Sequence, residues 1–430
     1  MKLINLMTLL LLMVFAGNLL AGDVQDFEIN GLKVIFKQNK SNDIIAAQLY
    51  FKGGSMVLNN QNSGIENFAL SVAQKATKNY PKDKLNGELE KMNTKVTHSV
   101  TLDYSSLNLQ CVKQNFKKSW ELFSDIILSP TFNPEDVELV RQQQLAALRQ
   151  QKDDPDNYLG LLSLRALYVD HPYAVGIGGT EETVSQFTAE DLRSYYQSRL
   201  ETSQLLLVVV GNTSLKELKK LVEKTFSGLP VGQFTNPKPP MPEPDAPSLK
   251  LVKRDLPTTY VQGSFAAPEF GSPESYAMMI ATSILRDRLF EEVRTKRGLS
   301  YAPGAGMRSR FAPYGYIYVT AVDPDSTIRV MRDETEKLTR EAVSASDLRN
   351  KINMFITRFF TGNETNMAQA GWLARYELSG LGYQAADQII NELKKLTPEL
   401  LQQTAEKYIK NLQFVLIGNP KSLKTERFLF

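Results

Sequence analysis

The sequence predicts an α+β protein made of two similar halves, each a mainly antiparallel sheet with helices packed on one face. Three observations carry this. Stretches of apolar and polar alternation sit near the start of each half and give way to amphipathic runs with helical spacing, the order expected of sheets backed by helices. A Pro-dense stretch, "PVGQFTNPKPPMPEPDAPS" at 230–248, keeps neither helical nor strand period and divides the chain. The segments that close the two halves are also alike: "TAEDLRSYYQSRLETSQLLLVVVGN" ends at Asn212 and "TPELLQQTAEKYIKNLQFVLIGN" ends at Asn419. In both, a helix opened by Thr with an acidic residue at the third position leads into an apolar strand that stops at Gly-Asn.

Taken in order, residues 1–21 read as a secretory signal: Lys2, an apolar stretch from Leu6 to Phe15, then small residues with a cut after Ala21. The apolar stretch falls short of the roughly 20 residues a membrane span needs. An uncleaved anchor is the other reading of this segment. The mature chain is therefore expected in a periplasm or outside the cell, with no later transmembrane segment. Residues 22–229 form the first half. It holds strands at "FEINGLKVIFKQN" and "IIAAQLYFKGG", a helix over Ile65 to Thr77, and strands at "KVTHSVTLDYSSLNLQCV". Helices follow from Asn115 to Leu128, Pro134 to Gln151 and Tyr158 to Tyr168. After the linker at 230–248, residues 249–430 repeat the theme. There "VSASDLRNKINMFITRFF" echoes "FNPEDVELVRQQQLAALRQQ" of the first half.

Composition narrows the function. With 50 basic and 47 acidic residues, a net charge of +3 offers no large field for nucleic acid or an anionic membrane. Cys111 is the single cysteine, so no disulfide forms within the chain. It alternates with Leu107 and Leu109 on one strand face, the setting of a small buried hydrophobe. The two histidines are His98 and His171. His98 alternates with Val96, Val100 and Leu102, which describes a histidine in or beside a core better than a ligand.

The run "FKGGSMVLNNQNSGIENFALSVAQKAT", Phe51 to Thr77, resembles the signature region of the pitrilysin or insulinase-type metallopeptidases, the inverted zincins. There a strand ending in Gly-Ser leads to a helix bearing His-x-x-Glu-His. Positions i and i+4 aim two imidazoles at one zinc, and the Glu between them is the general base for the metal-bound water. The three reactive positions fall here on Asn67, Leu70 and Ser71. The family's third ligand comes from Glu-Arg-x-x-x-Leu-x-Glu. The matching "VRQQQLAA" puts Val140 and Ala147 where the two Glu would be. Every ligand is replaced, and the resemblance implies a member with no metal of its own. "YVDHPYAVGIGGTEET" is similar to the family's His-Pro-Tyr loop, in which the His, here His171, is structural.

A second element is kept. "DRLFEEVRTKRGLSY", Asp287 to Tyr301, resembles the family's Arg-Leu-Phe-x-Glu-x-Arg-x-x-x-Gly-Leu-x-Tyr, whose Arg and Tyr bind substrate backbone and oxyanion at the zinc site of another domain. They map to Arg294 and Tyr301. Read from position alone, Arg294 pairs with Glu291 or complements a helix dipole and Tyr301 lies half in a core. The resemblance implies half of a clamshell and a metal-free auxiliary subunit. Such a subunit lends Arg294 and Tyr301 to a zinc-bearing homologous partner in a heterodimer acting on peptide or unfolded protein, as in the mitochondrial processing peptidase. Zinc is expected in the partner and no cofactor in this chain. The alternative is a non-catalytic peptide-binding or scaffolding protein of the periplasm, holding peptides at a sheet edge.

Overall fold

In the computed structural model, which describes residues 24–420 and 423–430, the apolar alternation resolves into two sheets. The signal segment at 1–21 lies outside the described residues. The first sheet comprises β1 (Val24–Ile29), β2 (Leu32–Gln38), β3 (Ile44–Lys52), β4 (Lys95–Val100), β5 (Tyr104–Val112) and β6 (Leu205–Gly211), in the order β1-β2-β6-β3-β5-β4. The second comprises β7 (Ser248–Lys253), β8 (Thr259–Ala266), β9 (Gly304–Arg308), β10 (Tyr314–Ala321) and β11 (Gln413–Gly418), in the order β7-β11-β8-β10-β9. The helices of the first half are α1 (Ile65–Ala73), α2 (Lys82–Lys91), α3 (Phe116–Leu128), α4 (Pro134–Asp153), α5 (Pro155–Leu167), α6 (Glu181–Gln186), α7 (Ala189–Ser198) and α8 (Leu215–Phe226). Those of the second are α9 (Pro273–Leu289), α10 (Pro324–Arg340), α11 (Ala345–Gly362), α12 (Asn366–Leu378), α13 (Ile389–Lys394) and α14 (Pro398–Tyr408).

Without β1, the two sheets are the same sheet twice. The pair β2/β6 is parallel and so is β7/β11, while β6/β3 and β3/β5, like β11/β8 and β8/β10, are antiparallel. The repeat extends to a single glycine. Gly211 and Gly418 close β6 and β11, and a Cβ added to either would come within 2.9 Å of a backbone Cα, that of Ile45 or of Thr259, at the start of the equivalent strands β3 and β8. The Gly-Asn echo in the sequence is thus a steric requirement met twice.

Strands β6 and β11 are buried along their whole length, which explains their unbroken apolar runs: both faces are covered. Leu205, Leu207 and Val209 face the core made with the first half's own helices. Leu206, Val208 and Val210 face Ala370, Leu373 and Ala374 of α12, a helix of the second half. The second sheet reciprocates, with Phe414 and Leu416 in its own core and Val415 and Ile417 against Leu159 and Leu162 of α5, from the first half. Each half therefore covers one face with its own helices, as expected, and receives one helix from the other half on the opposite face.

Smaller differences have local causes. The stretch "FEINGLKVIFKQN" is a hairpin folded at Asn30 and Gly31, whose φ values of 48° and 77° fit a tight turn. The helix expected to reach Thr77 stops at Ala73, and Thr77 instead bridges Pro130. The helix expected from Tyr158 starts at Pro155, because Asp154 caps it by accepting from Asn157 N at 2.9 Å. Residues 230–247 form neither helix nor strand, and Ser248 already belongs to β7. This stretch is pinned, not loose. Asn236 donates to Leu378 O at 2.9 Å and Asn411 donates to Pro244 O at 2.8 Å. No helix of the described residues is long and apolar enough to cross a membrane.

Candidate functional site: a refilled zinc motif and an outward Arg–Tyr pair

The motif helix α1 is entered through Gly64, which has φ 88° and on which a Cβ would meet Gly179 Cα at 2.6 Å. Only glycine fits there, for conformation and for space. Ser63 Oγ donates to Gly176 O at 2.5 Å, and Thr183 Oγ1 donates to Ser63 O at 2.9 Å. Gln144 of α4 donates to Gly178 O at 2.8 Å. The two loops that carry the sequence resemblance, around Gly64 and after His171, are thus one welded unit. His171 serves that weld: its Nδ1 accepts from Tyr173 N at 2.9 Å, so the neutral ring's Nε2–H donates to Pro240 O at 2.7 Å.

Within α1, Leu70 is only 2% exposed and packs in the first core. Ser71 Oγ bonds back to Asn67 O at 2.7 Å, the local bond short hydroxyl side chains make inside helices. His98 of β4 closes onto this turn, with Nε2 3.1 Å from Ser71 Oγ and Nδ1 2.7 Å from Gln74 Nε2. Gln74 Nε2 also donates to Leu70 O at 2.7 Å, which orients its amide. Nδ1 therefore accepts, the ring proton sits on Nε2, and Nε2–H donates to Ser71. A serine beside a histidine suggests a nucleophile and its base, but the polarity here is reversed. The ring has no lone pair left facing Ser71 to take the hydroxyl proton. Burial, then the charge of Lys75, holds His98 below its ordinary value, so it stays neutral.

Of the third-ligand positions, Val140 is buried in the first core and Ala147 is exposed. Among the described residues no group of three or more His, Cys, Asp or Glu side chains is placed to hold a metal ion. The donor set does not fit zinc: an amide, a leucine, a hydroxyl bonded to its own helix and a methyl group supply no charge and no imidazole. Cys111 adds nothing, since it is 1% exposed and burial pushes its thiol up to about 11.

Sequence reasoning missed two features of this region. The alternation around His98 places it in or beside a core, and only the path of β4 brings it against the motif helix. Glu66, one residue before the first vacated position, is buried. Its Oε2 accepts from Tyr195 OH at 2.9 Å and its Oε1 lies 3.9 Å from buried Arg199. The local signal was a charged residue on the apolar stripe of α1.

In the second half, α9 runs into a π-helical turn over Phe290–Thr295. Gly298, at φ 60°, donates to Arg294 O at 3.1 Å and Leu299 N donates to Val293 O at 2.9 Å, which turns the chain back. Tyr301 is thereby brought under Arg294, its ring centre 3.9 Å from the guanidinium carbon, with Phe290 at 4.7 Å. Tyr301 is 78% exposed, not half in a core. Arg294 does not pair with Glu291 or with any other carboxylate among the described residues. The neighbouring Glu292 is taken by Lys296 at 2.6 Å and Arg297 at 2.5 Å, whose hydrogen bonds hold it down to about 2. The structure brings Arg294 and Tyr301 together and brings Asn67, Leu70 and Ser71 together with His98. No hydrogen bond, ion pair or ring contact links the two groups among the described residues.

Comparison with known proteins fits this geometry. Residues 33–181 match the family described as insulinase, peptidase family M16, and residues 186–355 match the one described as the peptidase M16 inactive domain. The chain belongs to the M16 peptidase family. A Rickettsia felis protein named an uncharacterized zinc protease is 24% identical over 92% of this chain and 97% of its own length. A Helicobacter pylori protein named non-peptidase homolog YmxG is 23% identical over 96% and 98%. Among solved structures, a peptidase M16 inactive domain from Pseudomonas fluorescens superposes with a TM-score of 0.84 at 19% identity, over 94% of this chain and 99% of that one. The periplasmic protease PqqL of Escherichia coli gives 0.76 at 16% identity, over 94% of this chain and 49% of PqqL. The repeated α+β fold is that of an M16 half clamshell. The refilled ligand positions leave this M16 chain without the family's zinc-binding side chains, and its second half matches the family's inactive-domain model.

Proposed function

We propose that this M16 chain is the metal-free auxiliary subunit of a secreted two-chain peptidase, supplying Arg294 and Tyr301 to the zinc site of a homologous partner. The observation that carries it is the contrast between the two motifs. The ligand positions of α1 are absorbed into the core or into local hydrogen bonds, whereas half-buried Arg294 and exposed Tyr301 stand as a stacked donor pair with no carboxylate to neutralise them. Such donors stabilise negative charge that develops elsewhere. The similarity to about half of PqqL, which is named a periplasmic protease, supports a fold that works beside a second unit of its own kind. The signal-like opening supports a periplasmic setting for both chains.

The chain mixed with a zinc-bearing M16 chain from the same organism tests this. Cleavage of an unstructured peptide appears only in the mixture, and Arg294→Ala or Tyr301→Phe in this chain lowers kcat by roughly 10²–10³, as loss of one oxyanion donor does. Tyr301 is exposed and Arg294 is half-buried with no ion pair, so the same substitutions change stability by no more than about 1 kcal/mol. Unchanged activity with both residues replaced overturns the donor role. Tight peptide binding by the lone chain, with no catalytic partner found, replaces the reading with a peptide-binding scaffold.

A further inference from the structure

A cavity of about 430 Å³ lies where the two halves meet, and its charged lining is all of one sign. The first half contributes α5 and the stretch Gly176–Gly179 that follows His171, and the second contributes the end of β9 and the turn into β10. Arg165, Arg308 and Arg310 line it, and no acidic residue does. None of the three guanidinium groups forms an ion pair among the described residues, that of Arg308 lies over the Tyr316 ring at 5.3 Å, and Nε of Arg310 is buried with no hydrogen-bond partner. Asp103 is the carboxylate beside Arg310, and it is committed to Tyr173 OH and to the backbone N of Phe311 at 3.1 Å. Asp103 offsets at most one of the three charges, so in a chain that is nearly neutral, at +3 overall, this cavity keeps a net positive lining that an anion would neutralise.

The glycines of this wall give an independent indication. Gly176 and Gly178 do not have positive φ, and an added Cβ would meet nothing nearer than 3.6 Å at Gly176 and 3.8 Å at Gly178. Neither backbone conformation nor crowding within the chain calls for glycine at these two positions. What the missing side chains leave is bare backbone facing the cavity. The N–H groups of Ile177 and Gly178 find no acceptor among the described residues. Forked guanidinium donors beside free backbone N–H groups are the chemistry that recognises a carboxylate or a phosphate. The wall is continuous with the motif region, since Gly176 O receives the Ser63 hydroxyl.

We propose that this cavity binds an oxyanion group, either the carboxylate of a peptide held by the chain or a free anion of the phosphate kind. The peptide source rests on the peptide-handling reading above; the pocket itself does not. The test uses the full mature chain and three fluorescein-labelled decapeptides of Ala, Ser and Leu: one with a free C-terminal carboxylate, one C-terminally amidated, and one amidated with a single internal Glu. Thermal unfolding with inorganic phosphate against chloride at equal ionic strength is measured alongside. For a peptide carboxylate, an acidic peptide binds at least tenfold tighter than the neutral amide, and Arg308→Gln or Arg310→Gln removes most of that preference while leaving the amide's affinity within twofold. The free-acid and Glu-bearing peptides separate a terminal carboxylate from a side chain. For a free anion, phosphate raises the unfolding temperature of the parent chain and not of the variants, whether or not peptides bind. Absence of all peptide binding then counts against the peptide-handling reading alone. Equal affinity for the three peptides together with no phosphate effect overturns the pocket. Arg308 is exposed, so Arg308→Gln reports on the pocket even where Arg310→Gln disturbs folding.

Discussion

The buried pair beneath the motif helix offers a quantitative test of what holds that helix in place. Glu66 is 2% exposed and Arg199 6%, with 3.9 Å between their nearest charged atoms. At an effective dielectric of about 20 that separation corresponds to roughly 4 kcal/mol of attraction. Taking two ions out of water costs several kcal/mol each, so the intact pair adds little net stability while removal of one partner strands the other. Arg199 also donates to Gln204 Oε1 and to Lys52 O, tying α7 to the end of β3. Arg199→Met leaves the Glu66 carboxylate without its ion partner, supported among the described residues by its hydrogen bond from the Tyr195 hydroxyl. The expected loss is about 3–5 kcal/mol. The double variant Glu66→Gln with Arg199→Met, which buries no net charge, recovers at least about 2 kcal/mol of it. Urea titrations followed by tryptophan fluorescence measure the cycle, because Trp120 lies in the same core. If the single effects add to within about 0.5 kcal/mol, the pair is not coupled and the electrostatic account of α1 is wrong.

Other outcomes follow from the same geometry. Gly64→Ala forces a left-handed conformation on alanine and drives its methyl into Gly179, so it destabilises by at least about 1–2 kcal/mol, seen as a lower urea midpoint. Burial is the leading cause that depresses both His98 and His171 below 6.5 in the folded state. The unfolded chain therefore binds more protons, and stability is full above pH 6.5 and falls as the pH drops through the depressed folded values. Urea midpoints from pH 8 to 5 show this slope, and His98→Gln reduces it; a flat profile contradicts the assigned burial. Cys111 stays unmodified by a thiol reagent at pH 8 until the chain is unfolded, since its thiol is both buried and pushed up to about 11. Rapid labelling of the native chain refutes that.

Much of the architecture was legible because it is local or repeated. The alternation of β2, β3 and β5 and the paired Gly-Asn endings are visible in short windows, and the repeat of the sheet follows from them. The reciprocal placement of α5 and α12 was not legible: the expectation was helices on one face of each sheet, and the structure covers both faces of β6 and β11. Periodicity shows that a face is buried, not which distant helix buries it. The same limit applies to His98: its alternation marks a position beside a core, and the Ser71 turn that it meets lies 27 residues away in the sequence.

The sequence by itself determined that this chain activates no water on zinc at the family's site. Leu70 has no basic atom and Asn67, Ser71 and Ala147 offer no ligand of the required kind, and no fold can change what atoms a side chain contains. Only the tertiary structure decided what took the place of that chemistry. It turned the Ser71–His98 contact into a closed hydrogen-bonded network of reversed polarity, and it left Arg294 and Tyr301 outward and stacked on each other. Proton direction and exposure belong to the neighbours that the whole chain's path brings together, and no short window of sequence contains them.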